Sequence, residues 1–262
     1  MNFYLTNRLS KIFMLHLNEY CIVDFVITKR VKKIGQKKYH QIKHFNYIKD
    51  YKRNFVLYDH EKLKIEMIDF LEKQKHFLFL DLEMTMPNYY QRRFIPEIIQ
   101  YGYYLVNSNG EIINKGSNYL ETKLTNKLNK HTIRFLNLDV GNYNKTKKPY
   151  IEFYNELNNI INKYSPKIVV WGKNDIQAID HSYNIYKLNP ITNKNDFIDL
   201  LKLHKDYFNL SNDLGLFKAY ETYYNKSIHQ HHDAKDDAKI TKKVFDAFIM
   251  YSNGKERGKQ WN

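Results

Sequence analysis

The sequence predicts an α/β fold: a mixed β-sheet flanked by helices, preceded by a small basic appendage. Three observations lead there. HFLFLDLEM (76–84) is a run of apolar residues ending in acids, the composition of a central strand buried on both faces. IIQYGYYLVN and EIINKGSNYLE are joined by Ser108-Asn109-Gly110, which reads as a hairpin extending the same sheet. Helical segments then surround one further strand, KIVVWG (167–172), which reads as a crossover strand.

Residues 1–75 carry 16 Lys and Arg against 8 Asp and Glu, more than half of the net charge of +14. Their basic centre is ITKRVKKIGQKKYHQIKHF (27–45). YCIVDFVI (20–27) before it reads as a strand, and NFVLYDHEKLKIEMIDFLEKQK (54–75) begins strand-like and turns helical, with Asp59 as its cap. The predicted boundaries are therefore 1–75 for a basic appendage or subdomain, 76–250 for the α/β domain and 251–262 for a polar C-terminal tail.

Within the α/β domain, YIEFYNELNNIINKYS is a helix stopped before Pro166, and NDIQAIDHSYNIYKL is a helix that ends ahead of Pro190. DFIDLLKLHKDYF and DLGLFKAYETYY read as two more helices. DAKDDAKITKKVFDAFIMYS is the last, with Ala238, Ile240, Val244, Ala247 and Phe248 on its apolar face.

Composition narrows the function classes. Apolar residues at 43% and aromatics at 16% exclude a globally disordered chain. A charge of +14 points to an anionic partner such as nucleic acid, although nucleotide composition also enriches Lys, Asn, Ile and Tyr. Cys21 is the single cysteine, which excludes an intrachain disulfide and a cysteine zinc cluster. No apolar run reaches membrane-spanning length, and the first residues do not read as a signal peptide, so the expectation is a reducing, cytoplasmic setting without a membrane partner. There is no P-loop and no dinucleotide fingerprint.

The chemistry-bearing residues are acids. Asp81 and Glu83 stand two apart on one strand and so share a face. Two carboxylates there repel unless a cation lies between them, and a divalent ion is the simplest one; a solvated strand end is the alternative. Asp175 lies just past KIVVWG, either at a site or as a helix cap competing with Asn174. HHDAKDDA (231–238) adds two histidines and three more acids. Carboxylates converging from separate elements hold hard ions such as Mg²⁺ or Mn²⁺.

FLFLDLEMTMP, FIPEIIQYG, VVWGKND, FIDLLKL and HHDAKDDAKIT, in this order, resemble the DEDDh-type 3′→5′ exonucleases of the ribonuclease-H-like fold, in the DnaQ/RNase T group and nearest its KapD and ERI-1-like exoribonuclease branch. The resemblance covers about 76–250. The family's His-x-Ala-x-x-Asp-Ala segment matches His232 through Ala238; starting from His231 puts Asp233 and Asp237 where the pattern has alanines. The two alanines share a helical face and let the helix approach the sheet, while Asp233 suits a cap and Asp236 suits solvent.

The resemblance implies two divalent ions, Mg²⁺ or Mn²⁺, held by Asp81, Glu83, Asp175 and Asp237, with His232 taking the proton from the attacking water. It implies contacts from Met84 and Thr85 to the terminal nucleotide, and a nucleoside 5′-monophosphate as product. Tyr89, Tyr90 and Phe94 are candidates to stack on a base, and 29–43 to follow backbone phosphates. The expected partner is single-stranded nucleic acid, RNA ahead of DNA, with a non-catalytic binder as a third reading. Two departures are plain: Met86-Pro87 follows Thr85 where the family often has Thr-Gly, and a second Thr-Gly is replaced near Asn137-Leu138.

Overall fold

The computed structural model describes residues 1–88 and 94–254. Tyr89 and Tyr90, and most of the predicted tail, lie outside the described residues. The chain divides into two compact units: Met1–Phe70 with Tyr207–Ser211, and Leu71–Asp206 with Asn212–Asn262. None of the described helices is long and apolar enough to cross a membrane.

The first unit is a β-structure with helices at its flanks. Strand β1 (Asn2–Tyr4) leads into helix α1 (Asn7–Phe13), whose start is capped by the Thr6 hydroxyl. Two 14-residue strands follow, β2 (Cys21–Ile34) and β3 (Lys37–Asp50), then β4 (Phe55–Asp59) and α2 (His60–Glu72). The basic centre of the sequence is thus the tip of one long hairpin, turned at Gly35 with φ +59°. Strand β3 is central: β2 pairs with it antiparallel, β1 parallel and β4 antiparallel. Leu9, Ile42, Phe45 and Ile48 form its core. Asp59 caps α2 by accepting from the Lys62 N–H at 3.1 Å, as the sequence suggested.

The second unit begins with β5 (His76–Met84), β6 (Ile98–Asn107) and β7 (Ile112–Tyr119). The turn between β6 and β7 is held by Asn107, whose Oδ1 accepts from the N–H groups of Asn109 and Glu111, each at 3.0 Å. Two short helices, α3 (Lys130–Phe135) and α4 (Val140–Thr146), precede α5 (Tyr150–Tyr164). Then come β8 (Lys167–Val170), α6 (Asn174–Tyr186), β9 (Phe197–Asp199), α7 (Leu200–Tyr207), α8 (Leu216–Tyr224) and α9 (Ala234–Ser252).

The sheet order is β7-β6-β5-β8-β9, antiparallel from β7 to β5 and parallel from β5 to β9. This is the mixed sheet flanked by helices that the sequence implies. One element differs. Phe197–Asp199 is an edge strand on β8 instead of the first turn of a helix, because Asp199 marks the real helix start by accepting from the Lys202 N–H at 2.9 Å.

The alternation of β5 decides where its acids point. Leu78, Leu80 and Leu82 join the core with Phe153, Leu157 and Ile179 of α5 and α6. Phe77 and Phe79 face the other way and pack on Phe245 of α9, at ring-centroid distances of 4.9 and 5.3 Å. Asp81 and Glu83 continue the Phe77–Phe79 face, so they point toward the layer that α9 occupies.

Helix α9 can lie there only because two backbones meet. A Cβ placed on Gly102, the partner of Asp81 across β5 and β6, would sit 2.2 Å from the Lys235 nitrogen and 2.3 Å from the Ala234 carbonyl carbon. Ala234 and Ala238 are fully buried beside it. Gly102→Ala is therefore expected to destabilise the domain by about 1–3 kcal/mol or more, since backbone cannot step aside as a flexible side chain does. A denaturant midpoint equal to that of the unsubstituted chain would contradict this close approach.

Candidate active site

Each acid reaches the site by its own route. Asp81 and Glu83 come from the end of β5, where Glu83 is buried and Asp81 half-buried. Asp175 comes from the opposite side of the sheet. The chain leaves β8 through Gly172, whose φ of +95° turns it sharply into α6. Asp175 then sits in the first turn of α6, where its Oδ1 accepts the Leu82 N–H at 3.1 Å. Its carboxylate is thus pinned to the strand that carries the other two acids, and it does not cap the helix: no side chain does so at the start of α6.

Helix α9 brings the rest. Asp233 caps it, accepting from the N–H groups of Lys235 and Asp236 at 3.1 Å each. Gln100 on β6 clamps that cap by donating to Asp233 Oδ2 at 2.8 Å. Asp237, one turn in, is buried and faces the site, whereas Asp236 is exposed. His232 precedes the cap with φ +52°, a left-handed conformation that a residue other than glycine seldom adopts. The turn carries its ring toward Glu83, with Nδ1 3.9 Å from Oε1, too long for a hydrogen bond. His231 stays exposed.

All five predicted residues and Met84 line one cleft of about 340 Å³. Thr85 does not: it is buried, and its hydroxyl accepts from the Glu97 N–H at 2.9 Å. Phe94 is half-buried in the stretch before β6. Among the described residues, Glu83, His232 and Asp237 each offer an atom within 4.8 Å of the others, a group able to coordinate a divalent ion.

Three contributors carry no clear sequence signal or a weak one. Gln230 donates to Asp237 Oδ2 at 3.2 Å and lies 3.3 Å from His232 Nδ1, tying the last acid to the histidine. Phe135 at the end of α3 lays its ring on that of His232, 4.5 Å between centroids. Nothing near His232 in the chain announces it. Asp199 adds a further negative charge near Asp175. Gly102, by contrast, was readable as a glycine inside a strand, the usual mark of a close backbone approach.

The electrostatics are those of a site built for a cation. Burial, then repulsion from Asp175, Glu83 and Asp237, raises the Asp81 carboxyl well above its ordinary range. Burial and the neighbouring acids push Glu83 up to about 8. Burial takes Asp175 to about 7 against the opposing Leu82 hydrogen bond, and Asp237 to about 6 against that of Gln230. Among the described residues no lysine or arginine forms an ion pair with any of the four, and the basic group within ion-pair distance of them is His232, beside Glu83. Burial lowers the His232 pKa, which favours its uncharged form. An oxygen-rich, uncompensated cluster of this kind fits a hard divalent ion.

A ribonuclease-H-like sheet with four carboxylates and a histidine in one cleft defines a DEDDh-type, metal-dependent 3′→5′ exonuclease. The chain belongs to the RNase T exonuclease family, whose model matches residues 78–245. It is 30% identical over 171 residues to the probable 3′-5′ exonuclease KapD of Bacillus subtilis, covering 64% of this chain and 82% of that protein. Among solved structures it resembles the nuclease domain of 3′hExo, described as a DEDDh family member bound to rAMP, with a TM-score of 0.60 and 15% identity over 72% of this chain and 98% of that one. E. coli Exonuclease I in complex with an oligonucleotide is similar at a TM-score of 0.52 and 17% identity, over 69% of this chain and 42% of that one.

The raised carboxyl pKa values set a pH dependence. In the unfolded chain these groups release protons near pH 4, whereas the folded, metal-free chain holds them up to about 6 to 8. The folded state therefore binds more protons across that window, and the metal-free protein loses stability as pH rises through it. A bound divalent ion takes the place of those protons. Added Mg²⁺ is expected to raise the melting temperature more at pH 8 than at pH 6, and equal shifts at the two values would remove this assignment.

Proposed function

We propose that the chain is an exoribonuclease that removes nucleoside 5′-monophosphates from the 3′ end of single-stranded RNA, with two divalent ions, Mg²⁺ or Mn²⁺, at Asp81, Glu83, Asp175 and Asp237. The observation that carries the proposal is the convergence of these four carboxylates and His232 in one cleft from β5, α6 and the start of α9. When bound, the ions would supply an activated water and neutralise charge on the leaving 3′ oxygen.

The chain's own residues do the remainder. Asp175, tied to the Leu82 N–H, and Asp237, held by Gln230, keep their carboxylates aimed into the cleft. His232, its pKa lowered by burial and its ring packed at a tilt against Phe135, presents a ring nitrogen to accept a proton from the attacking water. Met84 lines the cleft where the terminal nucleotide would lie. Thr85 supports that segment from behind: its N–H donates to the Glu97 carbonyl and its hydroxyl accepts from the Glu97 N–H, each at 2.9 Å.

RNA is favoured over DNA because solved structures of similar fold include the nuclease domain bound to rAMP and a 3′-exonuclease recognising a histone mRNA stem-loop. A DNA exonuclease is the second reading, supported by the likeness to Exonuclease I with its oligonucleotide. The single cysteine, free and half-buried, supports a cytoplasmic setting. Residues 1–75 form the appendage in this proposal and 76–250 the catalytic domain.

With 5′-labelled single-stranded RNA and DNA, laddering is expected in Mg²⁺ or Mn²⁺ and not in EDTA, faster on RNA. Absence of laddering on both polymers would sink the exonuclease reading, and faster loss of DNA would favour the second one. His232→Ala is expected to lower kcat about 10²- to 10⁴-fold. His231→Ala, whose side chain is exposed, is expected to change it far less; equal losses would assign the general base wrongly.

A further inference from the structure

We propose that the β2–β3 hairpin of the first unit, with Phe3 of β1, is a second nucleic-acid-binding site, which holds a single strand by its phosphates and seats one base in an aromatic cavity. The inference deepens the nuclease reading and rests on it for the choice of ligand. Residues 1–70 lie outside the family match at 78–245, so the family accounts for none of these features.

Charge is the first feature. Lys29, Arg30, Lys32, Lys33, Lys37 and Lys38 are all exposed around the hairpin turn. Among the described residues none of them forms an ion pair. Lys33 and Lys38 stand directly opposite across the two strands. Like charges in that register repel and cost stability, a cost that a polyanion between them relieves.

Shape is the second. Lys38, His40 and Ile42 alternate onto one face of β3, with Lys33 opposite Lys38 and Val31 opposite His40. Phe3 pairs with His40 from the other side, its ring 6.4 Å from the imidazole and 4.9 Å from the Phe25 ring, edge to face. Behind this lies a largely apolar cavity of about 470 Å³, lined in part by Phe3, Phe25, Ile42 and Phe45. Basic side chains tracking a backbone beside aromatic rings that accept a base are the two components of sequence-tolerant single-strand binding. Phe3, which lines this cavity, is 38% exposed, and its register partner His40 stands two residues from Lys38 on β3.

The test uses the full chain in EDTA, so that hydrolysis does not interfere, and reads anisotropy of a labelled single-stranded RNA. Lys33→Ala with Lys38→Ala is expected to weaken binding about tenfold or more and to make the log–log salt dependence shallower by about 1.4. Phe3→Ala is expected to weaken binding with the salt slope unchanged, and Phe3→Trp to restore it. Melting temperatures of all variants confirm folding. Hydrolysis of the p-nitrophenyl ester of thymidine 5′-monophosphate in Mn²⁺, a substrate of one nucleotide that cannot occupy two sites, is expected to be unchanged. Unaltered RNA affinity in the double lysine variant overturns the proposal, as does tighter binding to anionic phosphatidylserine vesicles than to RNA. If the unsubstituted chain binds RNA through the hairpin yet hydrolyses neither ester nor RNA, the nuclease reading fails and the binding site stands.

Discussion

The contact between the first turn of α9 and the backbone of β6 at Gly102 is the constraint on which the catalytic unit depends. A helix normally packs on a sheet through side chains, which keeps the two backbones well apart. Here a single methyl at position 102 would overlap the peptide between Ala234 and Lys235. That proximity brings Asp237 over the acids at the end of β5. It also places the Asp233 cap within reach of Gln100, so the start of the helix is fixed in rotation as well as in position. Just ahead of that cap, His232 takes a left-handed turn with φ +52°.

The cluster so assembled works against the fold that makes it. Asp81, Glu83, Asp175 and Asp237 are brought out of water and close to one another, and their carboxyls hold protons far above the ordinary range. Burial and like charge act in the same direction, so hydrogen bonds from Leu82 and Gln230 offset only part of the cost. The scaffold bears the remainder through the two layers packed on β5: leucines against α5 and α6 on one face, Phe77 and Phe79 against Phe245 on the other. Such preorganised charge is what a hard cation needs, and a more relaxed cluster would bind it less well.

Much of this was legible in the chain because it depends on local period. HFLFLDLEM announces a strand buried on both faces and puts its two acids on one side; HHDAKDDA announces a capped helix whose alanines permit close packing. The misreadings came where local preference and tertiary contact disagree. Phe197–Asp199 shares the apolar content of the helix it precedes, and only its parallel pairing with β8 makes it a strand. The strand predicted at YCIVDFVI covers only the first half of β2; none is predicted in the basic segment beyond it, yet pairing over 14-residue lengths holds it extended. Phe135 escaped notice because its role is set by a ring contact with a residue distant in sequence.

The sequence by itself determined the residue types, their order and their faces: two acids on one side of a strand, a third just past a crossover strand, a histidine and a fourth acid spaced five apart at a helix start. The shared face of the two strand acids is a consequence of strand periodicity, which neighbouring residues settle among themselves; the choice of Asp175, His232 and Asp237 came from the resemblance to the family's motif. Tertiary structure alone decided that Asp175 binds the Leu82 amide instead of capping its helix, that Gln230 and Phe135 flank His232, and that Phe3 and the paired lysines share a face of the hairpin. Each of these joins residues on separate elements, and their meeting depends on strand register and on how closely helix and sheet can pack, which no short stretch of chain encodes.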